Sequence, residues 1–237
     1  GYFALDANTT GASNVAVGWE AMTTNTTASS NTAVGRKSMH DNTTGANGVA
    51  VGHTAMHNNT TGAGNTVVGA EALFTNTTGT ENTVVGYSSN YSSTGNNNTT
   101  IGYNSHPSAA DSANQITLGN ANNDNLRCAD TSISTLSDSR DKTNVVDIPL
   151  GLSFLNTVRP VAFDWDTRDG SRVGKKDFGF IAQELLAAGN ATDYANHMRL
   201  VSEENPDKLE ADPMKMFPIL VKAIQELSAE IEILKAK

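Results

Sequence analysis

The sequence predicts a mainly β N-terminal half, built as a solenoid of stacked coils, and an α+β C-terminal half that ends in a long helix. Three observations predict this division: a repeat of 17 residues up to Gly119, a change of composition near residue 130, and a heptad pattern in the last segment. Residues 1–130 contain 15 glycines and 11 charged residues, whereas residues 131–237 contain five glycines and 30 charged residues. Such a change usually marks a domain boundary. We therefore expect a repeat domain over 1–120, a connector over 121–136 and a globular domain over 137–237.

The repeat contains three elements that recur at one spacing. The first is a short apolar run that ends in a glycine, and these glycines are Gly18, Gly35, Gly52, Gly69, Gly86, Gly102 and Gly119. The second is Asn-Thr-Thr-Gly, which begins at Asn8, Asn42, Asn59 and Asn76, with an imperfect copy at Asn25. The third is a small residue followed by a large apolar one, as in Ala21-Met22 and Ala55-Met56.

Each repeat is predicted to form one coil of the solenoid. The apolar runs are β-branched and too short for helices, which favours strands. The glycine permits a positive φ and a tight corner, and Asn-Thr-Thr-Gly predicts a second corner in which the Asn side chain hydrogen-bonds nearby backbone. A single coil cannot bury its apolar edge alone, so the coils must stack. The inward residues are predicted to be mostly Val, Ala and Met, and so thin a roll favours association of several chains.

Residues 8–120 resemble the head repeats of trimeric adhesins of the YadA type, in which coils of the form Asn-x-Val-Ala-Val-Gly build a trimeric β-roll. The period of 17 residues is longer here than in that family. The resemblance implies a homotrimer.

One column of the repeat varies from coil to coil and is therefore expected to face solvent. Its members are Thr23, His40, His57, Phe74 and Tyr91. A stacked column of rings suits either a glycan-binding strip or a tolerant surface ladder, and we favour the ladder. His53 and His57 have a spacing that binds metal on a helix, but this segment is not predicted to be helical, so no metal site is expected.

The segment that follows the connector contains Ser137, Asp138, Arg140 and Lys142. Taken alone, a serine five residues before a lysine carries no function, and Ser137 or Asp138 could simply cap a helix. The rest of the chain favours a chemical role. Residues 131–237 resemble the intramolecular chaperone domain of phage tail spikes and endosialidases, the peptidase S74 family. The shared motifs are Ser-Asp-x-Arg-x-Lys at 137–142, an aromatic-ending strand at 158–165, Gly-x-Ile-Ala-Gln-Glu at 179–184 and the start of the last helix at 220–227.

This resemblance implies that Ser137 is a nucleophile, Lys142 its base and Leu136–Ser137 the bond that is cut. Asp138, Arg140, Gln183 and Glu184 are the supporting positions of the motifs, although Gln183 and Glu184 also fit the polar face of a helix over 180–188. A serine hydroxyl needs a base, and a lysine amine serves as one where burial or a neighbouring cation favours its neutral form. Attack on the Leu136 carbonyl gives an ester that water hydrolyses. The reaction runs once and implies neither a cofactor nor an exogenous substrate.

The C-terminal segment is the clearest predicted helix. Asp212-Pro213 predicts a cap and a first-turn proline. The apolar residues that follow have spacings of three and four, which is a heptad seam. They are Phe217, Leu220, Ile224, Leu227, Ile231 and Leu234. Ile at a and Leu at d alone would favour two strands, but the solenoid and the resemblance both indicate three.

Together these features predict the distal part of a phage tail fibre or spike, located on the virion and assembled in the host cytoplasm. The expected partners are two further copies of the chain, the rest of the fibre and a host cell-surface glycan. The net charge of −9 and the lack of a long apolar run predict neither nucleic-acid binding nor membrane insertion. The alternatives are a non-cleaving adhesive fibre that binds the host surface through its β-roll and an ice-binding solenoid. The second is disfavoured because the repeated Thr pairs lie in turns.

Overall fold

The computed structural model describes residues 1–123, 126–127, 135, 137–168 and 170–237. The chain divides into two compact units, Gly1–Asp124 and Asn125–Lys237. The exact limits of the predicted connector over 121–136 stay a prediction, since most of it lies outside the described residues.

The first unit is a parallel β-solenoid, as the sequence predicts. Each coil contributes one three-residue strand, and each strand pairs in parallel with the strand of the next coil, so that Val15 lies beside Thr32 and Val49 beside Thr66. The seven strands are β1 (Val15–Val17), β2 (Thr32–Val34), β3 (Val49–Val51), β4 (Thr66–Val68), β5 (Thr83–Val85), β6 (Thr99–Ile101) and β7 (Ile116–Leu118). They form one sheet in chain order.

The side chains of each strand alternate between the interior and the outer face. Because successive residues of a strand point to opposite faces, only the middle residue of a three-residue strand can point inward. Ala33, Ala50, Val67 and Val84 are accordingly buried, together with the Met and Leu residues of the third repeat element. The interior is therefore mostly Ala, Met and Val, as predicted, but the last residue of each strand lies outside it. Val17, Val68 and the last residues of the other strands face outward.

The glycine corners bring the coils into backbone contact. Gly52 has φ +144°, and a Cβ atom built there would lie 2.5 Å from the carbonyl oxygen of Gly69 in the next coil. Both the conformation and the close approach therefore require glycine. Large residues also adopt positive φ in the third element, where Met39, Met56 and Leu73 have φ values of 50°, 51° and 50°.

The Asn-Thr-Thr-Gly corner is held by an amide ladder. Asn59 Nδ2 donates to the Gly62 carbonyl of its own corner at 2.9 Å, which is the local bond that the sequence predicts. The same nitrogen donates to Asn42 Oδ1 at 2.9 Å, and Asn76 Nδ2 donates to Asn59 Oδ1 at 2.9 Å. These side chains are fully buried, so the ladder satisfies polar groups that would otherwise be costly inside the roll.

The interior becomes polar near the last coils. Asn90 is fully buried where earlier coils place Met or Leu, and Thr100 where they place Ala or Val. Ser89 is fully buried as well, like Ser38 at the same position of an earlier coil. Ser89 Oγ donates to Thr100 Oγ1 at 3.2 Å. Among the described residues, the Asn90 side chain has no hydrogen-bond partner at either Oδ1 or Nδ2.

The second unit is an α+β region. Its elements are α1 (Leu152–Leu155), β8 (Val161–Asp164), β9 (Lys176–Gly179), α2 (Ala182–Asn190), α3 (Ala195–Met198), β10 (Val201–Ser202), β11 (Glu210–Ala211) and α4 (Phe217–Lys235). The strands form two antiparallel pairs, β8 with β9 and β10 with β11. The core contains Phe154, Leu185, Met198, Leu200, Val201, Met216 and Ile219.

The last helix begins after a 3-10 turn over Pro213–Met216. Asp212 precedes this turn as predicted, but its side chain makes no capping hydrogen bond, so the predicted cap is wrong in that respect. One face of α4 packs on the domain through Ile219 and Ala223, both of which are buried. Glu226 Oε2 accepts a hydrogen bond from the Leu152 backbone nitrogen at 2.8 Å and anchors α1 to the helix.

Candidate functional site

Ser137 and Lys142 lie in contact at the start of the described part of the second unit. Lys142 Nζ is 2.7 Å from Ser137 Oγ and 3.2 Å from the Ser137 carbonyl oxygen. A 3-10 turn over Ser139–Asp141 brings the two side chains together, because it reverses the chain between them. The separation of Oγ and Nζ is within the range required for proton transfer between a nucleophile and its base.

Asp138 holds the turn in place. Its side chain accepts a hydrogen bond from the Arg140 backbone nitrogen at 2.9 Å, so the capping role considered for this segment belongs to Asp138. The Arg140 guanidinium also binds the same carboxylate through Nε and Nη2, at 3.0 Å and 2.6 Å. These bonds lower the pKa of Asp138. The guanidinium of Arg140 is therefore engaged by Asp138.

Ser137 and Lys142 are both exposed in the single chain. The predicted scissile bond joins Ser137 to Leu136, which lies outside the described residues. The described residues therefore place a hydroxyl and an amine in contact, and none of them covers the pair from water.

Gln183 and Glu184 lie in the first turn of α2, which begins at Ala182, two residues later than the predicted helix. The Glu184 carboxylate pairs with Arg159 through two hydrogen bonds, 2.9 Å from Nε and 2.5 Å from Nη2, and this pairing lowers the pKa of Glu184. Among the described residues, neither Gln183 nor Glu184 hydrogen-bonds to Ser137 or Lys142. Their position supports a structural role that joins α2 to the segment before β8.

The predicted seam of α4 is exposed along its whole length. Its exposed fractions range from 41% at Leu227 to 67% at Leu234. The other members are Phe217, Leu220, Ile224 and Ile231. Because Ile219 and Ala223 already attach α4 to its own domain, the seam is a second apolar face with no partner in the described chain.

A second apolar surface lies on the solenoid and was not anticipated from the sequence. It is the outward column at the last position of each strand, called here the outer stripe. Its members are Val17, Val34, Val51, Val68, Val85, Ile101 and Leu118. All except Val34, which is half-buried, are 36–54% exposed. The signal was in the sequence, since a three-residue strand that buries its middle residue must expose both ends.

The predicted ring column is stacked. The ring centroids of His40 and His57 are 4.9 Å apart, those of His57 and Phe74 5.1 Å, and those of Phe74 and Tyr91 5.1 Å. Each inner ring therefore has both faces covered by its neighbours, which supports the ladder interpretation.

His40, Asp41 and His57 also form a cluster of possible metal ligands. The two imidazoles lie in nearly parallel planes, 5° apart, on successive coils. A metal ion binds an imidazole nitrogen in the ring plane at about 2.0–2.1 Å. Two stacked rings cannot both direct a nitrogen to one ion in this arrangement, so the cluster is better explained by the hydrogen bond of 2.6 Å between His40 Nδ1 and Asp41 Oδ1.

Within the described parts of the chain, no helix has the length and apolar character needed to cross a membrane. A family model described as Peptidase_S74, "Chaperone of endosialidase", matches residues 137–197. No curated protein and no solved structure matches the chain.

Proposed function

From the peptidase S74 domain, the chaperone of endosialidase, that this chain contains at residues 137–197, we propose that the C-terminal unit drives trimerisation and folding of the solenoid and then cleaves the chain once between Leu136 and Ser137. A domain of this family implies a phage tail fibre or spike protein and suggests an autoprotease. The solenoid that precedes it is the part that the chaperone would fold.

The contact between Lys142 Nζ and Ser137 Oγ is the observation that carries the cleavage proposal. In its neutral form the amine takes the hydroxyl proton while Oγ attacks the Leu136 carbonyl carbon. The amide bond to the Ser137 nitrogen breaks, an ester forms on Oγ, and the released nitrogen takes up the proton from Lys142. Water then hydrolyses the ester to a carboxylate at Leu136 and restores the Ser137 hydroxyl.

Because Ser137 and Lys142 are both exposed, we expect cleavage to occur only after the chains have assembled. An amine accepts a proton from a hydroxyl more readily where water is excluded and its charged form is disfavoured. Among the described residues Ser137 and Lys142 are exposed, and we expect neighbouring chains to supply this exclusion. Cleavage would then follow trimerisation.

The two unpartnered apolar surfaces support a homotrimer. The α4 seam has heptad spacing, which favours a coiled coil, and exposed apolar patches of this extent mark interaction sites. The outer stripe runs the length of the solenoid and would be covered by the same association. A trimer of the second unit would hold three solenoids in register and at high local concentration, which offsets the slow pairing of distant segments. Cleavage afterwards would leave a fibre that unfolds slowly, because the chaperone is no longer attached.

Intact mass of the purified chain tests the proposal. We expect the wild-type chain to give fragments that end at Leu136 and begin at Ser137, and Ser137→Ala and Lys142→Arg to remain whole. Lys142→Arg keeps the charge but removes the base, because a guanidinium is not deprotonated in proteins. Ser139→Ala is the matched control and should cleave normally.

A whole wild-type chain that sediments as a trimer would contradict cleavage and would favour the alternative, a non-cleaving fibre that attaches to the host surface. The trimerisation proposal has a separate test. Residues 1–136 expressed without the second unit should give monomer or aggregate, and soluble trimer from that deletion would exclude a chaperone role for residues 137–237.

A further inference from the structure

Another surface column of the solenoid, distinct from the outer stripe and from the column of His40 to Tyr91, is formed by the residues that directly follow the corner glycines. It contains Trp19, Arg36, His53, Ala70, Tyr87 and Tyr103. Equivalent backbone hydrogen bonds align the column. In each coil, the residue that follows the column member donates its backbone N–H to the carbonyl oxygen of the column member one coil earlier. Glu71 donates to His53 at 2.9 Å, and Ser88 donates to Ala70 at 3.0 Å.

The column has flat side chains on both sides of a single alanine. The Arg36 guanidinium stacks on the Trp19 ring at 4.7 Å, and Arg36 Nη1 lies 3.1 Å from His53 Nε2. Beyond the alanine, the Tyr87 and Tyr103 rings are nearly parallel, with centroids 5.9 Å apart. Ala70 stands between these two groups and contributes only a methyl group.

The gap has the height of one missing ring. His53 and Tyr87 are two coils apart, which is about 9.6 Å at the usual spacing of paired strands. A ring placed midway would lie about 4.8 Å from each neighbour. This is close to the 4.9–5.1 Å spacing of the fully occupied column from His40 to Tyr91. Tyr103 covers one face of Tyr87, so the other face is directed toward the gap. Tyr87 is 50% exposed.

We propose that this gap, the Ala70 slot, binds one pyranose ring of a glycan. The negative face of an aromatic ring attracts the C–H face of a sugar, which supplies the apolar contact. The rim of the slot is polar: the Glu71 carboxylate, which accepts a hydrogen bond from Ser88 Oγ at 3.2 Å, directly follows Ala70. Sites that combine an apolar wall with a few placed polar groups suit ligands that have both characters. The Glu71 carboxylate can accept further hydrogen bonds beside the one from Ser88, and sugar hydroxyls can donate them whereas a purely aromatic occupant cannot.

The column from His40 to Tyr91 is a poorer sugar platform. Its inner rings already cover one another, so a sugar could reach only the ring edges. In the Ala70 slot, by contrast, one face of the Tyr87 ring is uncovered, because Ala70 stands where the column would otherwise have another ring.

Saturation-transfer NMR on the full chain tests the proposal with three pyranose probes: methyl β-D-galactopyranoside, methyl α-D-glucopyranoside and N-acetylglucosamine. We expect at least one probe to bind with a dissociation constant below about 10 mM. Ala70→Tyr fills the slot and should abolish that signal. Tyr87→Ala removes one wall and should weaken binding about three- to tenfold. Ala70→Ser leaves the slot open and is the matched control.

Two measurements make the outcome decisive. Thermal unfolding should show that Ala70→Tyr is at least as stable as the wild type, since its ring completes the ladder, so loss of signal there cannot come from unfolding. p-Cresol serves as the aromatic comparator. The proposal is overturned if none of the three sugars binds, if Ala70→Tyr binds them as well as wild type does, or if p-cresol alone occupies the slot.

Discussion

Replacement of Asn90 by leucine should stabilise the solenoid. Asn90 is fully buried, and neither of its amide atoms has a hydrogen-bond partner among the described residues. Each unsatisfied buried polar group costs about 1–3 kcal/mol, which gives about 2–6 kcal/mol for the two atoms. Asn90 has φ +51°, and a left-handed conformation costs leucine about 1–2 kcal/mol that asparagine largely avoids. Leu73 occupies the same column one coil earlier at φ 50°, so leucine is compatible with this backbone. The net gain should be about 1–4 kcal/mol.

Hydrogen exchange measured by mass spectrometry is the suitable assay, because it reports the opening of individual coils. Amides in residues 83–102 should exchange at least about fivefold more slowly in Asn90→Leu than in wild type. The same substitution at Asn59 is the control and should act in the opposite direction. Asn59 is equally buried, but its amide donates to Asn42 and Gly62 and accepts from Asn76. Faster exchange in Asn90→Leu, or a gain of protection in both variants, would refute the argument from unsatisfied groups.

Three further predictions follow from the corners, the ion pair and the seam. Gly52→Ala should lower solenoid stability by about 2 kcal/mol or more in urea unfolding, because it combines a strained φ with a backbone clash, whereas Gly64→Ala in the same solenoid shares only the positive φ; equal losses would contradict the clash. The pKa of Glu184, measured by NMR titration, should lie below its ordinary value and return toward it in Arg159→Gln. Since the folded pKa is lowered, the contribution of this pair to stability is present above the ordinary glutamate pKa and is lost as pH falls through the folded value; an unchanged titration in the variant would exclude Arg159 as the cause. Leu227→Glu should convert the proposed trimer to monomer in sedimentation velocity, and a trimer that persists in this variant would exclude the α4 seam from the interface.

The repeat made the solenoid predictable from sequence. Six steps between the corner glycines, five of 17 residues and one of 16, fix where each strand ends, and the short β-branched runs favour strands over helices. The direction of the side chains was harder to predict, because Val-Ala-Val is apolar at every position. Only the close approach of stacked coils decides that Ala50 points inward while Val51 points outward.

The candidate site was predictable in residue identity but not in surroundings. The spacing of Ser137 and Lys142 allowed contact, and the turn capped by Asp138 provides it. The engagement of Arg140 by that same carboxylate could not be inferred from spacing, because the four charged side chains within residues 138–142 can pair in several ways. The cap at Asp212 failed for a related reason, since a 3-10 turn separates it from the long helix.

The stacking of coils also has a mechanical consequence. Strands run across the solenoid axis, so a pull along that axis loads the bonds between successive coils one after another rather than all together. A coil of 17 residues occupies about 4.8 Å of axis when folded but extends to about 56–61 Å as a released chain. The loss of one coil therefore lengthens the fibre by about ten times the height of that coil. A shaft built this way would respond to a sudden load by unfolding single coils, while the remaining coils keep their register.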